Sequence, residues 1–239
     1  MDPAFPPRHG FLRGYAVKRR LKRSIGDAQF ADLLRPLRVV ATNLDTLERV
    51  VFSTGEVATA VHASSAVPGI CVPVRIGEDT FIDGGIVDPL PADVLQELGV
   101  RRIIAVNVIP PPERIRYCLQ AEREVARHTD RKIRNLARKF LPLDRQVNYF
   151  ARGNILEILM RSIHGAQGRV AAASGRHADL VLQPDICDDR WVDFRHPAKY
   201  IKAGREVALR HLDEIKALIK GKGSEHEHES SAQSMAAAV

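Results

Sequence analysis

The sequence lacks any hydrophobic run of about 18 residues, the length that a membrane-spanning helix needs, so no membrane span is predicted. Residues 1–7 also lack the basic and apolar regions of a signal peptide. The three cysteines, Cys71, Cys118 and Cys187, are odd in number and contain no C-x-x-C pair, which favours thiols in a reducing compartment over disulfides or zinc. These absences predict a cytoplasmic protein, peripheral at most at the inner membrane face, that holds no cofactor and no metal.

Aromatic residues are also scarce, at 5% of the chain, and no helix-turn-helix or zinc-finger pattern occurs, so no nucleic-acid partner is expected. Positive charge is nevertheless concentrated in two segments. Residues 1–25 contain seven Lys and Arg against one acid, and residues 111–152 contain eleven against five. Two interpretations stay open for these segments: solvated helical faces, or surfaces that contact an anionic partner such as lipid headgroups.

Segments typical of strands and of helices alternate along the chain. The β-rich runs 37–42 with 48–52, and 72–76 with 80–82, predict two hairpins. Further strands are predicted at 102–108 and within 178–185, where the last strand runs into a loop. Helices are predicted at 14–24, 27–34, 56–67, 92–99, 154–174 and 197–220. The alternation predicts a three-layer α/β fold. We expect a loose segment at 1–13, one domain at 14–220 with a basic helical insertion at 111–152, and a disordered tail at 221–239.

Asp83 is the candidate catalytic residue, because it follows the apolar pair Phe81-Ile82 and precedes two glycines. The Asp-Gly-Gly sequence alone favours an ordinary turn, in which the aspartate caps its own backbone. The apolar residues on both sides instead favour a site at the end of a buried strand. Partial burial there would raise the pKa of the carboxyl and make it a better base, and the glycines would let a substrate approach.

Four motifs in this part of the chain and beyond resemble, in order and spacing, the C-terminal two-thirds of a bacterial patatin-like phospholipase domain. They are LRVVATNLD at 37–45, ASSAVPG at 63–69, FIDGGIVDPLP at 81–91 and ADLVLQPD at 178–185. The resemblance spans about residues 10–215 and implies an α/β sandwich with a mostly parallel central sheet. It also implies a lipid acyl hydrolase (phospholipase A, lysophospholipase or carboxylester hydrolase) that acts on an acyl lipid or phospholipid. By this resemblance Asp83 is the general base of a Ser–Asp dyad, and Gly84, Gly85 and Pro68 belong to the site loops.

The serine of such a dyad lies in a G-x-S-x-G elbow, and no serine of this chain has glycine at both of those positions. No Gly-rich loop that would supply an oxyanion hole is present either. Ser64 and Ser65 are alternative nucleophiles, but within ASSAVPG they are interpreted as close-packing residues. The chain alone is therefore expected to be inactive, with the nucleophile encoded before Met1 or carried by a second polypeptide.

Two further expectations follow. A domain without its first strands would leave a sheet edge uncovered, which predicts self-association. The alternative function is a non-catalytic protein that keeps part of the fold and binds lipid or a membrane surface through its basic helices. Under either function, residues 111–152 are the expected point of peripheral contact with an anionic membrane.

Overall fold

A computed structural model of the chain describes residues 10, 12–111, 113–117, 120, 155–186 and 196–221. These residues fall into two compact units, one within Met1–Val94 and Leu159–Ser174 and the other within Leu95–Ile158 and Gly175–Val239. Most of the predicted loose segment, the basic insertion and the tail lie outside the described residues, so those three expectations stay predictions. Within the described part of the chain, no helix combines the length and the apolar character that spanning a membrane requires.

The helices and strands alternate much as expected. The helices are α1 (Tyr15–Ile25), α2 (Val57–Ser64), α3 (Asp93–Glu97), α4 (Ile155–Ser174), α5 (Pro197–Arg210) and α6 (Leu212–Lys220). The strands are β1 (Val39–Asn43), β2 (Arg49–Phe52), β3 (Val74–Ile76), β4 (Asp79–Asp83), β5 (Ile104–Val106) and β6 (Leu180–Leu182). Short 3₁₀ turns occur at Phe30–Asp32, Gly84–Ile86 and Gly175–His177, and residues 113–117 are also helical. The α/β class is confirmed.

Four strands of the first unit form a sheet in the order β2-β1-β4-β3, and all three pairings are antiparallel. The expectation of a mostly parallel sheet is therefore wrong for these strands. For β3 and β4 the reason is connection length: only residues 77–78 separate these strands, with Gly77 at φ 64°, and such a turn can join only antiparallel neighbours. Both predicted hairpins are confirmed. Among the described strands, parallel pairing joins β5 to β6 in the second unit.

Small residues let α2 pack closely against this sheet. Ala58, Ala60 and Ala63 are buried, and α2 contacts both β1 and β4. One core cluster combines the helix with the centre of the sheet: Ala41, Ala63, Ala66, Val74 and Phe81. The small side chains of α2 thus let it pack closely on the sheet, where the turn that follows α2 lies against the end of β4.

Two predicted helices differ from the structure. The helix expected at 27–34 is a single 3₁₀ turn, Phe30–Asp32, because Pro36 follows closely and leaves no room for a second turn. The helix expected at 197–220 is two helices, α5 and α6, divided at His211, whose φ of −99° and ψ of 20° leave the helical region. In the second unit, Asp179 directly precedes β6 and accepts a hydrogen bond from the Ile103 amide at 2.7 Å, next to the β5–β6 pairing.

Candidate active site

The backbone of Asp83 is fixed by three contacts at the end of β4. Asp83 pairs with Ala41 where β4 lies antiparallel to β1. The Asp83 amide donates to the Ala66 carbonyl at 3.0 Å, and its carbonyl accepts from the hydroxyl of Thr42 at 2.9 Å. Thr42 is fully buried. The α-carbon of Asp83 is therefore held by the sheet on one side and by the turn after α2 on the other.

The Asp83 carboxylate begins a 3₁₀ turn, Gly84–Ile86. Its Oδ1 accepts a hydrogen bond from the Gly85 amide at 2.7 Å, whereas Oδ2 receives no hydrogen bond from any described residue. Burial raises the pKa of this carboxyl above its ordinary value, and the Gly85 hydrogen bond partly opposes the rise. The side chain thus both caps its own backbone, as in an ordinary turn, and presents one oxygen that can accept a proton.

The two glycines have different physical roles. A Cβ on Gly84 would lie 2.6 Å from the carbonyl carbon of Val40, so only glycine lets this loop cross β1. A Cβ on Gly85 would instead meet side-chain atoms, Asp83 Oδ1 at 3.0 Å and Gln167 Nε2 at 3.2 Å. Gly84 therefore allows the backbone to pass close to β1. Gly85 has no side chain and so leaves space beside the Asp83 carboxylate.

Gln167 is a site residue that the sequence analysis missed. Its Nε2 donates to the Gly85 carbonyl at 2.8 Å, which identifies that atom as nitrogen because a carbonyl can only accept. Its Oε1 is buried and has no hydrogen-bond partner among the described residues. No sequence signal marks this residue, since it is an isolated glutamine on α4, far from Asp83 in the chain.

Asp88 anchors the far end of the Asp83 loop. Its Oδ2 accepts from Arg49 Nη1 at 2.6 Å, and the same nitrogen donates to Asp93 at 2.7 Å and 2.9 Å. The hydroxyl of Ser174 also donates to Asp88 Oδ1 at 3.3 Å. Hydrogen bonds to these two carboxylates raise the pKa of Arg49. The ion pair between Asp88 and Arg49 therefore attaches the end of the loop that begins at Asp83 to β2.

The remaining sequence candidates are less closely joined to Asp83. Pro68 is half-buried in the turn after α2, two residues beyond Ala66, whose carbonyl binds the Asp83 amide. The Ser65 hydroxyl donates to the His62 carbonyl at 3.2 Å, a local helical hydrogen bond. No hydrogen bond joins the Asp83 carboxylate to Ser64 or Ser65. Over the described ranges, no group of three His, Cys, Asp or Glu side chains could hold a metal ion.

The fold and this site together define an α/β domain that presents a partly buried aspartate beside two glycines at a strand end. Residues 3–95 match the family model described as patatin-like phospholipase. The resemblance drawn from the motifs is thereby confirmed over residues 3–95, which are similar to patatin-like phospholipases. The match ends at residue 95, so the family assignment of the 178–185 motif stays a prediction.

Similar proteins occur in bacteria and in mammals. An uncharacterized NTE family protein of Mycobacterium tuberculosis is 33% identical over 95 residues, which is 40% of this chain and 16% of that protein. A second one is 31% identical over 108 residues, 45% of this chain and 30% of that protein. Patatin-like phospholipase domain-containing protein 6 of Mus musculus is 30% identical over 110 residues, 45% of this chain and 8% of that protein. The chain thus spans less than a third of each relative's length.

Proposed function

We propose that this chain contributes the aspartate half of a lipid acyl hydrolase, with Asp83 as the general base of a Ser–Asp dyad. One observation carries the proposal. Within the segment that matches the patatin-like phospholipase family, the Asp83 carboxylate has one oxygen held by the Gly85 amide and the other without a hydrogen bond from any described residue. The substrate class is a carboxylic ester of a phospholipid, lysophospholipid or simpler acyl lipid.

The chemistry asked of Asp83 suits its surroundings. A serine hydroxyl that attacks an ester carbonyl must lose its proton, and a carboxylate accepts that proton better when burial raises its pKa toward the working pH. The Gly85 hydrogen bond fixes the orientation of Oδ1 and leaves Oδ2 to receive the proton of the hydroxyl. The bare α-carbon of Gly85 leaves room there for an acyl chain or a backbone.

The nucleophile of the proposed dyad is a G-x-S-x-G serine outside the 239 residues of this chain. Ser64 and Ser65 are disfavoured for that role, because the Ser65 hydroxyl is engaged with the His62 carbonyl and neither serine is bonded to Asp83. The proposal therefore predicts that residues 1–239 alone release no acid from p-nitrophenyl esters or from phosphatidylcholine above the uncatalysed rate.

Gln167 acts in this proposal as a positioning residue. It holds the Gly85 carbonyl, and the Gly85 amide in turn holds Asp83 Oδ1. Replacing it with methionine, Gln167→Met, keeps the length of the side chain and removes the donor. We expect the Gly85 amide to exchange with solvent faster in this variant. Exchange that is unchanged would remove Gln167 from the proposed mechanism.

The decisive experiment expresses the longest in-frame reading frame that contains these residues and assays ester hydrolysis. We expect that polypeptide to carry a G-x-S-x-G serine and to turn over phospholipid. Asp83→Asn should lower turnover by about two to four orders of magnitude, the usual contribution of a general base. Asp45→Asn, the same chemical change in the exposed turn between β1 and β2, is the matched control and should be fully active.

Two results would reject the proposal. The first is an Asp83→Asn enzyme that retains turnover while the melting temperature shows it to be folded. The second is a reading frame without any G-x-S-x-G serine whose product is inactive. Hydrolysis by residues 1–239 alone would contradict the assignment of the nucleophile and direct attention to Ser64.

A further inference from the structure

Helix α1 carries its positive charge on two separate faces. Lys18 and Lys22 are four residues apart and share one side of the helix, where both pair with Glu56, Lys18 at 3.1 Å. Arg19, Arg20 and Arg23 occupy a different side, because they lie adjacent or three to four positions apart. The lysines therefore dock the helix on its own domain, while the arginines point elsewhere.

The second face, Arg19 with Arg20 and Arg23, is the arginine face of α1. All three residues are exposed, and none forms an ion pair with a described residue. No acidic residue occurs anywhere in α1 to neutralise them. Three guanidinium groups within little more than one helical turn repel one another unless an anion lies close, so the face is complementary to a dense array of negative charge.

Exposed apolar side chains border the arginine face on both sides. Tyr15, four residues before Arg19, is 57% exposed, and Val17, three residues before Arg20, is 44% exposed. Arginines pair with phosphate oxygens through two parallel hydrogen bonds, and a tyrosine beside them is a side chain typical of the water–lipid boundary. A helix that combines these features lies flat on a bilayer, with its cations at the headgroups.

We propose that the arginine face of α1 docks the protein on an anionic lipid bilayer. The inference rests on α1 alone and does not depend on the proposed acyl hydrolysis. A lipid surface is favoured over a nucleic acid because the flanking side chains are apolar and α1 has no row of aromatic side chains on which bases could stack. Of the two basic segments found in the sequence, the proposal takes the one that contains α1, whereas residues 111–152 lie mostly outside the described residues.

The fixed position of α1 makes the face a preformed surface. Gly14 precedes the helix with φ 78°, and a Cβ there would collide with the ring of His62. Tyr15 packs on the same ring, with centroids 5.7 Å apart. These contacts, with the Glu56 ion pairs, hold α1 against α2. Docking therefore requires no new helix to form, and little conformational entropy is lost when the protein binds.

The test is co-sedimentation of the chain with vesicles of phosphatidylcholine, with and without phosphatidylglycerol, at increasing salt. We expect binding only to the phosphatidylglycerol vesicles, weakening as salt rises. The variant Arg19→Gln/Arg20→Gln/Arg23→Gln should bind about a hundredfold more weakly, at about fivefold for each arginine. Its melting temperature should match the wild type, since these side chains make no ion pair within the described residues.

The matched control removes the same charge from α5: Lys202→Gln/Arg205→Gln/Arg210→Gln. If only net charge matters, both triple variants lose affinity equally, and the proposal is rejected. Equal binding to vesicles with and without phosphatidylglycerol also rejects it, as does tighter binding of single-stranded RNA than of vesicles. Should the arginine triple variant not fold, the single variant Arg20→Gln provides the test and should bind about fivefold more weakly.

Discussion

The sharpest structural prediction concerns Gly84, where a single methyl group meets a strand. In Gly84→Ala the new Cβ would lie 2.6 Å from the carbonyl carbon of Val40, whereas ordinary contacts begin at 3.4 Å. The carbonyl oxygen of Val40 lies closer still, so the two segments must separate by more than about 0.8 Å. The obstructing atom is backbone in β1, which pairs with β2 on one side and β4 on the other. No side-chain rotation can relieve the clash.

The cost can be bounded from this geometry. Overpacking a rigid interior costs about 1–3 kcal/mol, and a clash between two backbones lies at the upper end. A loss of about 3 kcal/mol lowers the melting temperature of a chain of this size by roughly 6–12 °C. Thermal unfolding followed by far-UV circular dichroism measures this shift directly.

Two other glycines supply matched controls for the same substitution. Gly165 lies in α4, where an added Cβ meets nothing within 4 Å, so Gly165→Ala should stabilise the protein by up to about 1 kcal/mol. Gly85→Ala meets side-chain atoms of Asp83 and Gln167, which can move, and should cost less than Gly84→Ala. A Gly84→Ala protein that melts within about 2 °C of the wild type, or no lower than Gly85→Ala, would refute the close approach of this loop to β1.

Three further predictions test the surroundings of the site. The raised pKa of Asp83 means that the folded protein binds the carboxyl proton more tightly than the unfolded chain does. The stability that this proton contributes is therefore present at low pH, and it is lost as pH rises through the raised pKa of Asp83. Asp83→Asn should therefore be at least as stable as the wild type at pH 7, with the difference disappearing below the ordinary aspartate pKa; a difference independent of pH contradicts this. Arg49→Met leaves buried Asp88 without its cation and should lower the free energy of unfolding by about 2–3 kcal/mol, measured by urea unfolding. Arg49→Lys keeps the charge and should lower it less. Equal losses in the two variants would show that the positive charge of Arg49 does not stabilise Asp88. Hydrogen bonds from Lys22 and Thr59 lower the pKa of Glu56 to about 2. The ion pairs of α1 therefore stabilise the fold above the ordinary glutamate pKa, and this stabilisation is lost as pH falls from the ordinary value toward about 2. Hydrogen exchange in α1 should accelerate over that window in the wild type and not in Glu56→Gln.

Local sequence patterns were enough to predict most of the elements. Alternating β-branched residues around short turns predict both hairpins, because the turn and the strand period are set by neighbouring residues. The alanines of α2 predict its close packing for the same reason. Parallel pairing was a wrong inference for the four strands β1 to β4, since the direction in which β1 meets β4 depends on contacts between residues far apart in the chain.

By itself, then, the sequence determined the α/β class of the fold and the resemblance to patatin-like phospholipases. Each of these is encoded in a contiguous stretch whose spacing can be read residue by residue. Only the tertiary structure decided that Gln167 holds Gly85, that Arg49 closes the Asp83 loop, and that α1 separates its lysines from its arginines. Those pairings join distant residues, and burial and hydrogen-bond geometry exist only once the chain has folded.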